Sequence, residues 1–221
     1  MSVASAEVIP AEVLKATRAI ANRDPSMAAC IEIVGPCRIR AGQGDYFAAL
    51  VRSIAYQQLA GRAAAAIHGR FVEGVGGTVT AEAVMATPDT TIRAAGMSGA
   101  KTASLRDLAA KVLDGTVPLE GIEAYSDDEI VKRLVKVRGI GRWTAEMFLL
   151  FELRRLDIWP VDDFAVRKGY ARIHGLDEMP KPGELVALGE VYRPWRSVAA
   201  WYCWRGSEAT IPPGSPEPEP G

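Results

Sequence analysis

Residues 134–150 read LVKVRGIGRWTAEMFLL, and this stretch restricts the folding of the chain more than any other. Ser126 and Glu129 form a capping-box pattern ahead of Ile130 and Leu134, so a helix begins there and runs towards Gly139 and Gly141. Beyond the two glycines the apolar residues return at helical spacing, which predicts a second helix. Glycine allows positive φ and close backbone approach, so a Gly139-Ile140-Gly141 turn can point its N–H groups outward while Ile140 plugs the space between the helices. Such a turn makes an anion site at a helix N-terminus. Lys132, Arg133, Lys136, Arg138 and Arg142 surround it as the densest basic cluster in the chain, and Thr144 offers a hydroxyl to the same phosphate. The competing reading is an ordinary connection between helices whose basic residues form a solvated face.

The overall charge carries no such signal. Against 26 Lys and Arg stand 27 Asp and Glu, a formal net charge of -1, where a nucleic-acid-binding domain is often basic. Residues 207–221 contain Glu208, Glu217 and Glu219 and no basic residue, so the rest of the chain is slightly basic. This Pro-rich end has no hydrophobic period and is expected to be a disordered tail behind a single domain spanning residues 1–206. No apolar run approaches the roughly 18 to 20 residues that span a bilayer, and the N-terminus lacks the basic and apolar regions of a signal peptide. Cys30, Cys37 and Cys203 are odd in number and lack metal-site spacing, so neither disulfides nor a zinc or iron-sulfur site is expected. A monomer in the reducing cytoplasm of a bacterium, with access to chromosomal DNA and no membrane partner, is the expected setting.

Helical spacing recurs elsewhere, at Phe47, Leu50, Val51 and Ile54 behind a capping Asp45, and at Leu105, Leu108, Ala109 and Val112 ahead of a closing Gly115. Residues 31–41, IEIVGPCRIRA, alternate enough to suggest a strand, broken at Gly35-Pro36. The whole predicts an all-α protein. After the second hairpin helix comes DIWPVDDFAVRKGY, where Pro160 imposes an extended approach and Asp162-Asp163 opens a helix. Alone, such an acid pair is a cap and a favourable first-turn charge.

The order of these parts changes that reading. The pattern V-x-G-I-G-x-x-T-A after a helix resembles the hairpin of helix-hairpin-helix DNA-binding families. Hairpin, second helix, short crossover and W-P-V-D-D together resemble the helix-hairpin-helix DNA glycosylase superfamily. The resemblance implies two helical lobes with the active-site cleft between them, and a catalytic aspartate at Asp163, with Asp162 as the adjacent alternative that otherwise caps or braces the helix. Breaking an N-glycosidic bond builds positive charge on the sugar, which a fixed carboxylate stabilises. Bifunctional members carry a lysine where this chain has Trp143, so the resemblance implies base removal by water without strand cleavage.

Trp143 also resembles the DNA-3-methyladenine glycosylase II branch, whose pocket sets aromatic faces against electron-poor alkylated bases. The segment 194–204, PWRSVAAWYCW, resembles that branch's late helix, with Trp204 in the base pocket, Trp201 as the nearby candidate and Trp195 in the core. Tyr56 joins the pocket set. Tyr56-Gln57-Gln58-Leu59 resembles the I-x-x-Q-Q-x-S break, where a residue enters the space left by a flipped nucleotide; Gln58 is the wedge candidate and Leu59 the second. Residues 97–101, MSGAK, resemble the family's G-x-S-x-x-K-A helix start, for which packing is the expected role, and His68 and His174 are read as structural. The implied DNA contacts are Lys136, Arg138, Gly139, Ile140, Gly141, Arg142 and Thr144. The carbonyls of Val135, Val137 and Ile140 are implied as ligands of a structural Na+ or K+, with no other cofactor required. The implied partner is double-stranded DNA carrying 3-methyladenine or a related lesion. A glycosylase for oxidised, deaminated or mispaired bases and a non-catalytic damaged-DNA-binding protein are the two alternatives.

Overall fold

The computed structural model describes residues 10–39 and 44–208, and these fold into helices without a strand. They form two compact units, one drawn from both ends of the chain, up to residue 40 and from 155 onward, the other from residues 41–154. None of the described helices is long and apolar enough to cross a membrane.

The end unit contains α1 (Ala11–Arg23), α2 (Pro25–Val34), α10 (Phe164–Ile173), α11 (Pro182–Leu188) and α12 (Arg196–Glu208). Asp24 caps α2 by accepting from the Met27 N–H at 3.0 Å, with Pro25 preset for the first helical position. The strand suggested for residues 31–41 is not formed. Ile31–Val34 is the last turn of α2, where Met27 and Cys30 are buried and Ile31 and Val34 pack beside them at helical spacing. The apparent alternation came from a helix ending at Gly35, whose φ of 80° stops it; Arg40 and Ala41 lie outside the described residues. α12 is buried almost all round from Ser197 to Cys203 and forms the spine of the unit's core. It continues through Ser207 and Glu208, into the stretch read as tail, whose remainder lies outside the described residues.

Contact between α10 and α12 depends on Gly169. A Cβ there would lie 1.8 Å from the Cys203 carbonyl oxygen, so only glycine permits this approach. Cys30, Cys37 and Cys203 are all buried. Burial pushes the Cys30 thiol up to about 11 and the Cys37 thiol up to about 12. His174 is structural, as expected: its Nε2 lies 2.8 Å from Asp24 Oδ2, which also accepts from the Tyr192 hydroxyl.

The middle unit contains α3 (Tyr46–Tyr56), α4 (Gly61–Gly74), α5 (Ala81–Ala86), α6 (Asp89–Ala94), α7 (Gly99–Leu113), α8 (Asp127–Leu134) and α9 (Arg142–Phe151). The boundary signals act as read: Asp45 caps α3, Ser126 and Glu129 form the capping box of α8, and Gly115 adopts φ 77° just past α7. Leu50, Ile54, Leu105, Leu108, Ile130 and Leu134 are fully buried and supply its interior.

Candidate active site

The hairpin connects α8 to α9 as the sequence predicts, but its two glycines do different work. Gly139 has φ 78°, and a Cβ on it would lie 2.6 Å from Ser104 Oγ, so both conformation and space demand glycine. Gly141 is extended, with φ -90° and ψ 174°, and opens α9 with no side chain to accept the first-turn N–H groups. Ile140 is 3% exposed and fills the interior. Lys136, Arg138, Gly139, Gly141, Arg142 and Trp143 are exposed around this helix start, which sets positive charge beside its first-turn N–H donors. Arg133 sits with its guanidinium over the Tyr125 ring, 4.5 Å from the centroid. Thr144 departs from expectation: at 7% exposure it faces the interior of the hairpin and does not stand with the exposed phosphate donors.

Sequence reasoning missed Glu146. It is 5% exposed, yet its Oε1 accepts from Arg142 Nε at 2.9 Å one turn away. A buried acid thus holds the stem of an exposed arginine. Its position in an apolar helix, EMFLLF, was the available signal.

The break between α3 and α4 falls where the sequence places it. Gln58 is exposed and has φ 57°, an uncommon conformation for a residue with a side chain; Leu59 beside it is 39% exposed. Gln57 Nε2 donates to the Gly139 carbonyl at 2.9 Å, and Lys101 Nζ donates to the carbonyls of Ala55 and Gln57, each at 2.8 Å. Burial lowers the Lys101 pKa. Lys101 lies in the segment 97–101 expected to serve packing, and its ammonium bonds the break directly. Tyr56 is half-buried, with the Arg52 guanidinium 5.0 Å from its ring centroid and the His68 ring edge-on at 6.1 Å.

In the end unit, the acid pair separates by role. Asp162 is exposed, while Asp163 is buried at 8% and is itself the cap of α10, its Oδ1 accepting from the Val166 N–H at 2.9 Å. The expectation that Asp162 caps the helix is therefore corrected. Asp163 follows a clamped approach. The Trp159 indole donates to the Leu185 carbonyl at 2.8 Å, and a Cβ on Gly189 would lie 2.2 Å from its Nε1. The Ile158 N–H donates to Ser197 Oγ at 2.9 Å, and Asp157 pairs with Arg193 and Arg196, each at 2.7 Å. The Asp163 N–H then closes a turn on the Pro160 carbonyl at 3.0 Å. These contacts hold one carboxylate at the N-terminus of α10.

Of the late tryptophans, Trp195 packs beside the core under the Arg23 guanidinium, as expected. Trp201 is 8% exposed within that core, edge-on to Tyr202 at 5.0 Å with the Arg205 guanidinium over its ring. Trp204, half-buried, is the more accessible indole of the pair. Among the described residues no group of three or more His, Cys, Asp or Glu is gathered as a metal site.

Residues 51–194 match the family described as HhH-GPD superfamily base excision DNA repair protein. DNA-3-methyladenine glycosylase 1 of Schizosaccharomyces pombe is 34% identical over 207 residues, which cover 91% of this chain and 91% of that protein. Among solved structures, the S. pombe 3-methyladenine DNA glycosylase Mag1 in complex with abasic DNA superposes with a TM-score of 0.79 at 33% identity, covering 89% of this chain and 98% of the other. A DNA-3-methyladenine glycosidase from Bacillus halodurans gives a TM-score of 0.80 at 32% identity, covering 87% of this chain and 88% of the other. A glycine-opened hairpin, a strained break tied to it and a buried capping aspartate thus occur in a chain whose sequence and fold agree with one group of repair proteins, and the chain belongs to the HhH-GPD superfamily of base excision DNA repair proteins.

Proposed function

We propose that this protein is a DNA glycosylase that flips N-alkylated purines such as 3-methyladenine out of duplex DNA and hydrolyses the N-glycosidic bond without cutting the strand. The observation that carries the reading is Asp163, a buried carboxylate held on a clamped loop as the cap of α10. The names of its relatives support the substrate class: the S. pombe and B. halodurans proteins are 3-methyladenine glycosylases by name.

In this reading the hairpin grips a phosphate through the α9 amides and the side chains of Lys136, Arg138 and Arg142, and Gln58 fills the gap left by the flipped nucleotide. Asp163 then stabilises the positive charge that develops on the sugar as the base departs, and water completes the hydrolysis. At an effective dielectric of 20, opposite charges about 4 Å apart attract by roughly 4 kcal/mol, enough to change the rate by about a thousandfold. An alkylated base is cationic or electron-poor and leaves readily. Trp143, 45% exposed, offers an indole face to such a base, and Trp204 is the second aromatic. Trp143 carries no amine, so no Schiff base forms there and the strand stays intact.

A monovalent cation fits the hairpin turn. Val137 O accepts only the Ile140 N–H, at 3.0 Å, among the backbone bonds of the turn, and a carbonyl has a second lone pair. Together with the carbonyls of Val135 and Ile140 it would offer the neutral, hard oxygens that Na+ or K+ prefers, and a bound ion would hold the turn's shape.

Incubation with methylated duplex DNA and chromatography of the released bases test the proposal. Free 3-methyladenine with intact strands is expected, and the release is expected to fall by about a thousandfold in Asp163→Asn. Persistent release by that variant would overturn the assigned carboxylate, and no release by the wild-type protein would favour a non-catalytic damage sensor.

A further inference from the structure

One face of α7 joins the break to the hairpin. Lys101, Ser104 and Asp107 recur every three residues along it and share that face. Lys101 Nζ holds the carbonyls of Ala55 and Gln57 at 2.8 Å, at the end of α3 where carbonyls lose their partners within the helix. One turn on, Ser104 lies beneath Gly139, so close that a Cβ on the glycine would meet its Oγ at 2.6 Å. At the next turn Asp107 Oδ2 accepts from the Arg138 N–H at 2.7 Å, while Lys111 holds the other carboxylate oxygen. Gln57 closes the circuit by donating from Nε2 to the Gly139 carbonyl at 2.9 Å. The residue preceding Gln58 is therefore bonded to α7 by its backbone and to the hairpin turn by its side chain.

We propose that Gln57, Lys101 and Asp107 are positioning residues that lock the break and the phosphate-binding turn into one rigid element, so that gripping a phosphate sets the position from which Gln58 enters the duplex. The proposal rests on the base-flipping reading above. Gln58 has a positive φ, a conformation that persists only where its surroundings impose it, and the two Lys101 bonds with the Gln57 bond supply that constraint. A wedge works only from a defined place, since a displacement of about 1 Å in a positioned group can cost roughly a hundredfold in rate. Joining the wedge to the phosphate grip lets the DNA backbone itself provide the reference.

The test uses the full chain and a duplex carrying a tetrahydrofuran abasic analogue with 2-aminopurine as its neighbour, whose fluorescence rises when the wedge unstacks it. Gln57→Leu keeps an apolar branch as far as the δ position and removes the amide; Lys101→Met keeps most of the stem and removes the ammonium. Both are expected to lower the fluorescence rise and the single-turnover release of methylated bases by about three- to tenfold, the worth of a lost hydrogen bond, with affinity for undamaged duplex changed less than about twofold. Gln58→Ala alone is expected to lower the same signals, and adding Gln57→Leu to it should bring no further loss, because Gln57 acts through Gln58. An undiminished fluorescence rise in Gln57→Leu and Lys101→Met, or losses from Gln57→Leu and Gln58→Ala that multiply, would overturn the proposal. Wild-type protein that raises the fluorescence yet releases no base would overturn the catalytic reading alone, and protein that does neither would overturn both.

Discussion

α9 and α10 each open at a candidate functional site, and their N-termini are finished in opposite ways. α9 begins at Gly141, which leaves the first amides without a side-chain cap beneath a fringe of exposed Lys136, Arg138 and Arg142. α10 begins at Asp163, whose own carboxylate accepts from Val166 and is 8% exposed. The first amides are thus left to an external acceptor in one case and taken by an internal carboxylate in the other. In the proposed function, the helix end that holds DNA leaves its anion site open, and the one that presents a charge to the sugar supplies that charge itself.

The sharpest way to break this comparison is Asp163→Asn. Asparagine caps a helix about as well as aspartate, so α10 should persist and the melting temperature should change little, while base release falls by about a thousandfold with the loss of roughly 4 kcal/mol of charge stabilisation. Asp162→Asn, at the exposed neighbour, should leave release within a fewfold of wild type, measured under single turnover. Equal losses in both variants would mean that the cap and the catalyst are not the same residue.

Gly169→Ala tests the support behind that helix. Its Cβ would sit 1.8 Å from a backbone oxygen of α12, which cannot rotate away as a side chain can. Destabilisation of roughly 3 kcal/mol is expected in denaturant unfolding, with base release falling because α10 carries Asp163, whereas duplex affinity through the hairpin should change less.

How much of this was legible in the sequence follows from the range of each interaction. The hairpin, the Ser126 capping box and the acid pair are local patterns, readable within a few residues. The pair's inner division was not, because burial of Asp163 comes from a loop held by Ser197, Leu185 and Gly189 far along the chain. The links from Gln57 to Gly139 and from Lys101 to Ala55 span 82 and 46 residues and have no periodic trace. Trp201 and Trp204 could not be told apart by helical phase, since α12 is buried on nearly every side. The strand suggested at residues 31–41 shows the reverse error, in which a few alternating residues at a helix end imitate a different period.

Asp24 separates the two uses of a capping acid within the end unit. Burial alone would raise its pKa, but hydrogen bonds from His174, Tyr192 and the Met27 N–H outweigh that and lower it from 3.8 to about 2. A depressed carboxylate contributes stability that is present in full above its unfolded value and is lost as pH falls through its folded one. The window is therefore about pH 4 down to about pH 2, and the contribution is roughly 2 kcal/mol. Asp24→Asn should remove this part of the acid dependence in equilibrium unfolding while leaving base release at neutral pH nearly intact; a large loss of release would place Asp24 nearer the chemistry than its contacts do.

The smallest expected effect belongs to the open helix end. Arg138 is exposed, its backbone N–H is held by Asp107, and its side chain stands at the turn without entering the core. Replacing it with alanine removes one phosphate contact and should weaken binding to damaged and undamaged duplex alike, by a fewfold at moderate salt. It should also reduce the slope of log affinity against log salt by about 1, because one fewer counterion is released. Base release at saturating protein should be almost unchanged, since the grip is restored by mass action and Asp163 is untouched. If the salt slope stays constant while release falls, Arg138 acts on the flipped base, and the division between an open anion site at α9 and a filled one at α10 does not hold.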